Sequence, residues 1–437
     1  MTVSTHTDAG GKILPEPLVI TDLTSEAHWQ RSPNDEEREW LAEIAGLSPQ
    51  QFVLNAQLEI DHQPTTEPIL TRDIEGWRAN RYIGEIRHNG RKLVIEPRLG
   101  IETITSWIST ILNVQVLPRT AQQTAGANNA VTQLLAALWR ASVLTAGQHA
   151  LPRMGQKTSS HGLSVKGRLD GSATSRRRAK GHFDLVSTRV VRSYDNAPAR
   201  AVVLADRYFD RHLAGAQWRG PRLDEQMVAL RNATGTKPQR PSLIDIRKAR
   251  YSPITIKWRR AAELSWRIIS QDPLGVSADD DSTYGVLIDV AELWEMFVLH
   301  CAALATSQPV LHGTNTQSSG HLARSTVDSS RALGKLYPDV LVGDRPITAL
   351  LDAKYKRLGG RRGIEREDLY QLHAYSSTFE TPLAALVYPA IDSEIPRDER
   401  DSPWRTNNGE LSFLTLPTNR DGCVSKLKEW FQAGNCI

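Results

Sequence analysis

The sequence predicts a mixed α/β (α+β) protein, with a β-rich amino-terminal region followed by a carboxy-terminal domain in which helices flank a central mixed sheet. Three observations predict it. His88-Asn89-Gly90 supplies turn chemistry between two strand-like segments, Tyr82 to Arg87 and Arg91 to Glu96, as in a hairpin. Two segments with apolar residues at helical spacing follow, Ile101 to Leu112 and Val131 to Ala146. Beyond the polar break at Asp279-Asp280-Asp281-Ser282, helix-like and strand-like segments alternate, the pattern of an α/β unit.

Composition bounds the rest. The 437 residues suffice for two or three domains, and 40% hydrophobic with 23% charged residues is the balance of a globular chain. No apolar run is long enough to span a membrane, and Met1 to Lys12 lacks a basic-then-apolar signal pattern, so a cytoplasmic protein with no membrane partner is expected. Cys301, Cys423 and Cys436 form no CxxC pair, which argues against a disulfide framework or a zinc ribbon. A net charge of +4 is small for this length, so local clusters must carry any case for nucleic acid.

In chain order, residues 1–28 read as a flexible leader, 29–280 as the amino-terminal region and 281–437 as the carboxy-terminal domain. Gln51 to Ile60 favours a strand. Arg176, Arg177, Arg178 and Lys180 read as an exposed basic loop feeding a strand from Phe183 to Val191, and are candidate DNA or partner contacts. Between Ile244 and Ile269, basic residues interleave with Tyr251, Trp258 and Trp266. Phosphate-and-base binding and a helix with Trp258, Ala262 and Trp266 on its core face are equally good readings.

Two apolar runs, Leu336 to Val342 and Ile347 to Lys356, flank a turn at Gly343-Asp344-Arg345-Pro346 and predict a hairpin of core strands. Asp339 and Asp352 interrupt these runs, and Asp352 and Lys354, two apart, share a strand face. Carboxylates at sheet positions are costly unless a cation compensates them, and an oxygen-rich set suits Mg²⁺, with Mn²⁺ as the alternative. Lys354 beside that ion would orient or help deprotonate a water and offset charge on a phosphate. A surface Asp-Lys pair and a turn aspartate form the bland alternative, and the joint pattern on adjacent strands disfavours it. A helix from Val290 to Ala302 brings Glu295 as a further acidic candidate, and a helix around Glu365 to Tyr375 places Gln371 and Tyr375 on one face, suited to bracing the lysine or touching substrate.

Pro338-Asp339, Asp352-Ala353-Lys354-Tyr355-Lys356 and Asp368-Leu369-Tyr370-Gln371 with Tyr375 resemble the PD-(D/E)xK nucleases and, within them, the McrC family of nuclease subunits from McrBC-type modification-dependent (type IV) restriction systems. Leu293 to Val298 resembles the family's helix ahead of the sheet, with Glu295 at its acidic position. Tyr82 to Ile86 and Leu93 to Gly100 resemble its β-rich opening, with Pro97-Arg98 where the family usually has Pro-Lys. The Ser-rich stretch from Asn315 to Ser330 is a departure. The resemblance implies a restriction-endonuclease-like carboxy-terminal domain with Asp339, Asp352, Lys354 and Glu295 as catalytic residues, three of them (Asp339, Asp352, Glu295) as metal ligands. It also implies a heteromeric complex with an McrB-like AAA+ GTPase acting on methylated double-stranded DNA, the amino-terminal half docking in the ring and stimulating GTP hydrolysis. No phosphate loop of the Gly-x-x-x-x-Gly-Lys-Ser/Thr kind occurs in the sequence, so a nucleotide motor would be another chain. Two other functions fit the same residues: a stand-alone repair or recombination nuclease, and a non-catalytic factor that activates an AAA+ motor.

Overall fold

In the computed structural model the described residues are 16–54, 67–112, 128–213, 218–270, 283–313, 320–328, 330–344, 346–356, 364–390, 403–407 and 409–434. They divide into two units, one made of 1–134 with 279–437 and the other of 135–278. The expected boundary near 280 falls at the end of the second unit, but the amino-terminal segment does not form a domain separate from the carboxy-terminal one, because strands from both ends of the chain share a sheet.

Order begins earlier than the predicted leader allows. Strand β1 (Leu18–Thr21) pairs in parallel with β6, Leu18 opposite Leu93 and Ile20 opposite Ile95, and both Leu18 and Ile20 are buried. Helix α1 (Asp35–Ala45) starts at a capping box, the Asn34 side chain accepting from Glu37 N while the Glu37 carboxylate accepts from Asn34 N. β2 is short (Val53–Leu54), and the remainder of the strand expected from Gln51 to Ile60 lies outside the described residues. β3 (Leu70–Asp73) and β4 (Gly76–Ala79) form a small hairpin. The hairpin of β5 (Tyr82–His88) and β6 (Arg91–Glu96) forms as predicted, with Asn89 at φ 49° and Gly90 at φ 73° meeting the left-handed requirement of a two-residue turn. Helix α2 (Ile101–Leu112) matches its predicted span and buries Ile104, Trp107 and Ile108.

Helix α3 (Asn128–Ala146) crosses into the second unit, which continues with β7 (Met154–Gly162), β8 (Arg168–Leu169), α4 (Gly171–Arg178) and β9 (Leu185–Ser193), the strands in order β7-β9-β8. The basic cluster is therefore not a loop. Asp170 caps α4 through Ala173 N, and Arg176 to Arg178 occupy its last turn, where cations favour the helix dipole. Helices α5 (Ala197–His212), α6 (Pro221–Thr234), α7 (Leu243–Lys248) and α8 (Lys257–Ile269) complete the unit. In α8, Trp258 and Ala262 are buried while Arg259 lies exposed beside Glu263, which also pairs with the exposed Arg247 of α7, so the helix reading of that stretch holds.

The chain re-enters the first unit at β10 (Tyr284–Asp289), which pairs antiparallel with β5 and parallel with β2, giving a five-stranded sheet in the order β1-β6-β5-β10-β2. Gly84 is required there, since a Cβ at that position would lie 2.1 Å from Val286 O. Helix α9 (Val290–Ala305) follows at once. Its buried Leu293, Trp294, Phe297, Val298 and Cys301 repeat at helical spacing, and Trp107 of α2 stacks 5.5 Å from Phe297 and 5.1 Å from Trp294. After β11 (Val310–Leu311) come β12 (Gly320–Arg324), β13 (Ala332–Leu336), β14 (Val340–Val342), β15 (Ala349–Ala353), α10 (Arg366–Phe379), β16 (Leu383–Pro389), β17 (Trp404–Thr406), β18 (Gly409–Leu416) and α11 (Arg420–Ala433). Six of these strands form a mixed sheet in the order β11-β14-β15-β16-β18-β17, flanked by helices as predicted. β15 and β16 are buried throughout, which explains why apolar residues fill them apart from Asp352. Cys301 and Cys423 are free and buried, and among the described residues no helix is long and apolar enough to cross a membrane.

Candidate active site

Two strands and two helices position the predicted residues in the first unit. Val340 of β14 pairs with Leu351 of β15, which sets Asp339 across from Asp352, and Ala353 N donates to Asp339 Oδ2 at 2.6 Å. The expected hairpin thus brings both aspartates together. Asp352 is 2% exposed in the middle of the sheet. Its neighbour on the same strand face, Lys354, places Nζ 2.8 Å from Asp352 Oδ2. Lys354 N donates to Val387 O of β16 at 2.9 Å, so the backbone is fixed where the side chain departs.

Helix α10 braces the lysine. Lys354 Nζ donates to Gln371 Oε1 at 2.8 Å, Gln371 Nε2 donates to the Tyr375 hydroxyl at 2.8 Å, and that hydroxyl donates to Tyr337 O at 3.4 Å. The chain of bonds closes on itself, because Tyr337 stands two residues before Asp339. Asp368 adds a carboxylate 3.9 Å from Lys354 Nζ and pairs with Lys356 at 2.6 Å.

Glu295 comes from α9. The helix is set by Asp289, which caps it through Ala291 N and Glu292 N and is itself paired with Arg81 at 2.8 Å. Carboxylate oxygens of Glu295 and Asp339 and a ring nitrogen of His312 all lie within 4.8 Å of one another, a spacing suited to one metal ion. Asp352 is not in that group of three, its Oδ2 being turned to Lys354.

Charge explains why such a cluster asks for a cation. Burial pushes the Asp339 carboxyl up to about 8, with the Asp352 charge adding to the rise. Burial likewise raises Glu295 well above the carboxylate range, helped by Asp339 and Asp289, and raises Asp352 against the pull of Lys354. Lys354 goes the other way: burial disfavours its ammonium, but Asp352, Asp339 and Asp368 outweigh that and hold the proton on more tightly than usual. Three crowded acids with one neighbouring ammonium fit a divalent ion. The two carboxylates of the group of three suit a hard cation, and His312 adds a donor that Mn²⁺ accepts more readily than Mg²⁺.

Sequence reasoning missed His312, Arg81 and Asp289. Asp289 stands directly before an apolar helix, an N-cap signal that would have found it. His312 follows a two-residue strand with no motif around it, and only the fold brings it to Asp339. The basic residues Arg176, Arg177, Arg178 and Lys180 belong to the second unit, where Arg177 is paired with Asp184 at 2.8 Å.

The family model for the McrBC 5-methylcytosine restriction system component matches residues 77–389, from the β4 strand through β16 and across every residue of this cluster. The chain belongs to that family. A chain in the refined half-complex from a tetradecameric assembly of Thermococcus gammatolerans McrB AAA+ hexamers with bound McrC is similar in fold, with TM-score 0.51 and 15% identity over 84% of this chain and 86% of that one. The cryo-EM structure of the Thermococcus gammatolerans McrBC complex matches at TM-score 0.39 and 13% identity over 66% of this chain and 87% of its own. A search of the curated proteins found no match. The McrBC family assignment makes the chain a component of a restriction system.

Proposed function

We propose that this chain is the DNA endonuclease subunit of a McrBC-type restriction system, cutting methylcytosine-containing duplex DNA in the cytoplasm together with an McrB-like AAA+ GTPase whose GTP hydrolysis it stimulates. The observation that carries the reading is the grouping of Glu295, Asp339 and His312 at metal-binding spacing, with Asp352 opposite Asp339 and paired to Lys354, whose ammonium is fixed by Gln371. The fold shared with a chain of the McrB hexamer assembly with bound McrC supports the heteromeric partner.

Glu295, Asp339 and His312 would hold Mg²⁺ or Mn²⁺, with Asp352 beside it. When bound, the ion supplies Lewis acidity toward a phosphate oxygen. The protein's own part is positional and electrostatic. Because Lys354 keeps its proton, it serves better as a fixed positive charge for the phosphate's developing negative charge than as a base. Gln371 and Tyr375 hold that charge in place, and the apolar strands around Asp352 keep the surroundings poor in water, which strengthens each interaction. Arg176, Arg177, Arg178 and Lys180 are proposed to touch DNA or the partner.

The test is cleavage by the purified chain with Mg²⁺, with and without the AAA+ GTPase and GTP, on methylated and unmethylated DNA, with Asp352→Ala as control. Cutting that needs partner, GTP and methylation supports the reading. Identical behaviour of wild type and Asp352→Ala in every combination removes the catalytic assignment, and cutting without partner or GTP would make it a stand-alone nuclease.

A further inference from the structure

We propose that the β12–β13 hairpin is a DNA-binding ribbon of the nuclease site, entering a groove of the duplex while Arg331 and Lys335 hold phosphates next to the one being cut. The inference rests on the nuclease reading above.

The hairpin runs from Gly320 to Leu336, and neither strand has a fully buried residue. Leu322, Leu333 and Val327 are 60%, 75% and 96% exposed, an apolar set that a free-standing ribbon has no reason of its own to display. Its tip is ordered by Ser325 N donating to Arg331 O and by Ser330 donating to Asp328 Oδ1. Its base is anchored to α10: a Cβ on Gly320 would lie 2.9 Å from the Phe379 ring.

Cross-strand pairing fixes the faces. His321 is opposite Lys335 and Ala323 opposite Leu333, so alternation puts Arg331, Leu333 and Lys335 on one face. That row continues to Tyr337, whose ring centroid is 4.9 Å from Lys335 Nζ and whose carbonyl accepts from Tyr375, the last member of the chain of bonds that braces Lys354. Lys335 stands four residues before Asp339, a span of at most about 14 Å of chain. Arg324, Arg331 and Lys335 are exposed and form no ion pair among the described residues, while the hairpin's described acid, Asp328, is occupied by Ser330.

The partner follows from this chemistry. A two-stranded ribbon fits the major groove, cations answer phosphates, and exposed aliphatic side chains suit thymine methyl groups. A neutral protein surface would leave three cations beside the catalytic strand without a counter-charge.

The experiment measures duplex binding by the full chain in EDTA, so that nothing is cut, over a series of salt concentrations, for wild type and for the double variant Arg331→Gln, Lys335→Gln. Each lost phosphate contact lowers the slope of log K against log salt by about 0.9, so a fall of roughly 2 is expected. Thermal melting with and without Mn²⁺ checks that the variant keeps its fold and metal site. An unchanged slope overturns the proposal. So does an unchanged slope together with weakened self-association or weakened binding to the AAA+ partner, which would make the ribbon a protein interface. No duplex binding by wild type, alone or with the AAA+ partner, also overturns the proposal, while the nuclease reading stands or falls on the cleavage test.

Discussion

Removing the charge at Asp339 should make the metal-free protein more stable at alkaline pH, although it removes a ligand. In the folded chain burial and Asp352 lift this carboxyl from an ordinary 3.8 to about 8, so between those values the native state holds a proton that the unfolded chain has released. Native protein therefore binds more protons, and its stability is fully present below about pH 4, falls as pH rises and levels off above about pH 8. At about 1.4 kcal/mol per pH unit the full displacement is worth roughly 6 kcal/mol, and the partial exposure of Asp339 brings a realistic figure to about 3 kcal/mol. Asn at this position keeps an oxygen to accept from Ala353 N, so the hairpin loses little. The assay is thermal unfolding in EDTA at pH 5, 7 and 9. Wild type should lose several degrees more than Asp339→Asn across that range, and Mg²⁺ or Mn²⁺ should restore wild type far more than the variant. Parallel pH profiles, or equal rescue by metal, would refute the idea that crowded acids at this site are held together by a cation.

Four other substitutions probe the same cluster. His312→Ala should weaken Mn²⁺ binding at least tenfold in calorimetry, about the loss of more than 1.4 kcal/mol, while leaving the melting temperature of the metal-free chain nearly unchanged; unaltered affinity would remove His312 from the ligand set. Gln371→Ala leaves the Lys354 ammonium without its amide acceptor, a charged hydrogen bond of about 1.5 to 3 kcal/mol, and should slow cleavage roughly ten- to a hundredfold with DNA binding intact. Tyr375→Phe should produce a smaller loss of the same kind, because it acts one bond further away. Lys354→Ala should stop turnover yet retain metal binding, and cutting at the wild-type rate would end its assignment to the phosphate.

Most of the six-stranded sheet was legible because its signals are local. The strands around Asp339 and Asp352 are short apolar runs joined by a Gly-Asp-Arg-Pro turn, and their hairpin forces the two acids together. Gln371 and Tyr375 were legible for the same reason, being four apart on one helix. What the sequence concealed was non-local. β1 looked like leader because its four residues show no period of their own and gain a place only by pairing with β6, some seventy residues on. The basic cluster looked like a loop because the Gly and Ser around its arginines carry little helical preference, and Asp170 as a cap decides the matter. His312 could not be found without the fold, and neither could the sharing of one sheet by β5 and β10, almost two hundred residues apart.

That shared sheet gives the amino-terminal strands a mechanical relation to Lys354. Tyr355, the residue after Lys354, donates its hydroxyl to Asp22 Oδ2 at 2.8 Å, and Asp22 lies one residue beyond β1. The Arg98 guanidinium covers the Tyr355 ring at 4.6 Å and is itself almost fully buried, its nitrogens making no hydrogen bond among the described residues. Burial pushes the Asp22 carboxyl up to about 6 despite Arg98, so this arrangement is held at an electrostatic cost. An apolar trio of similar volume would pack the same space more cheaply; what the polar one adds is direction, since a hydroxyl bonded to one carboxylate has one orientation. Adjacent residues of an extended segment point to opposite sides, so fixing Tyr355 toward β1 fixes Lys354 toward Asp352 and Gln371. The pairing of β1 with β6 thereby sets the aim of the ammonium, and the amino-terminal sheet is part of the candidate site's construction.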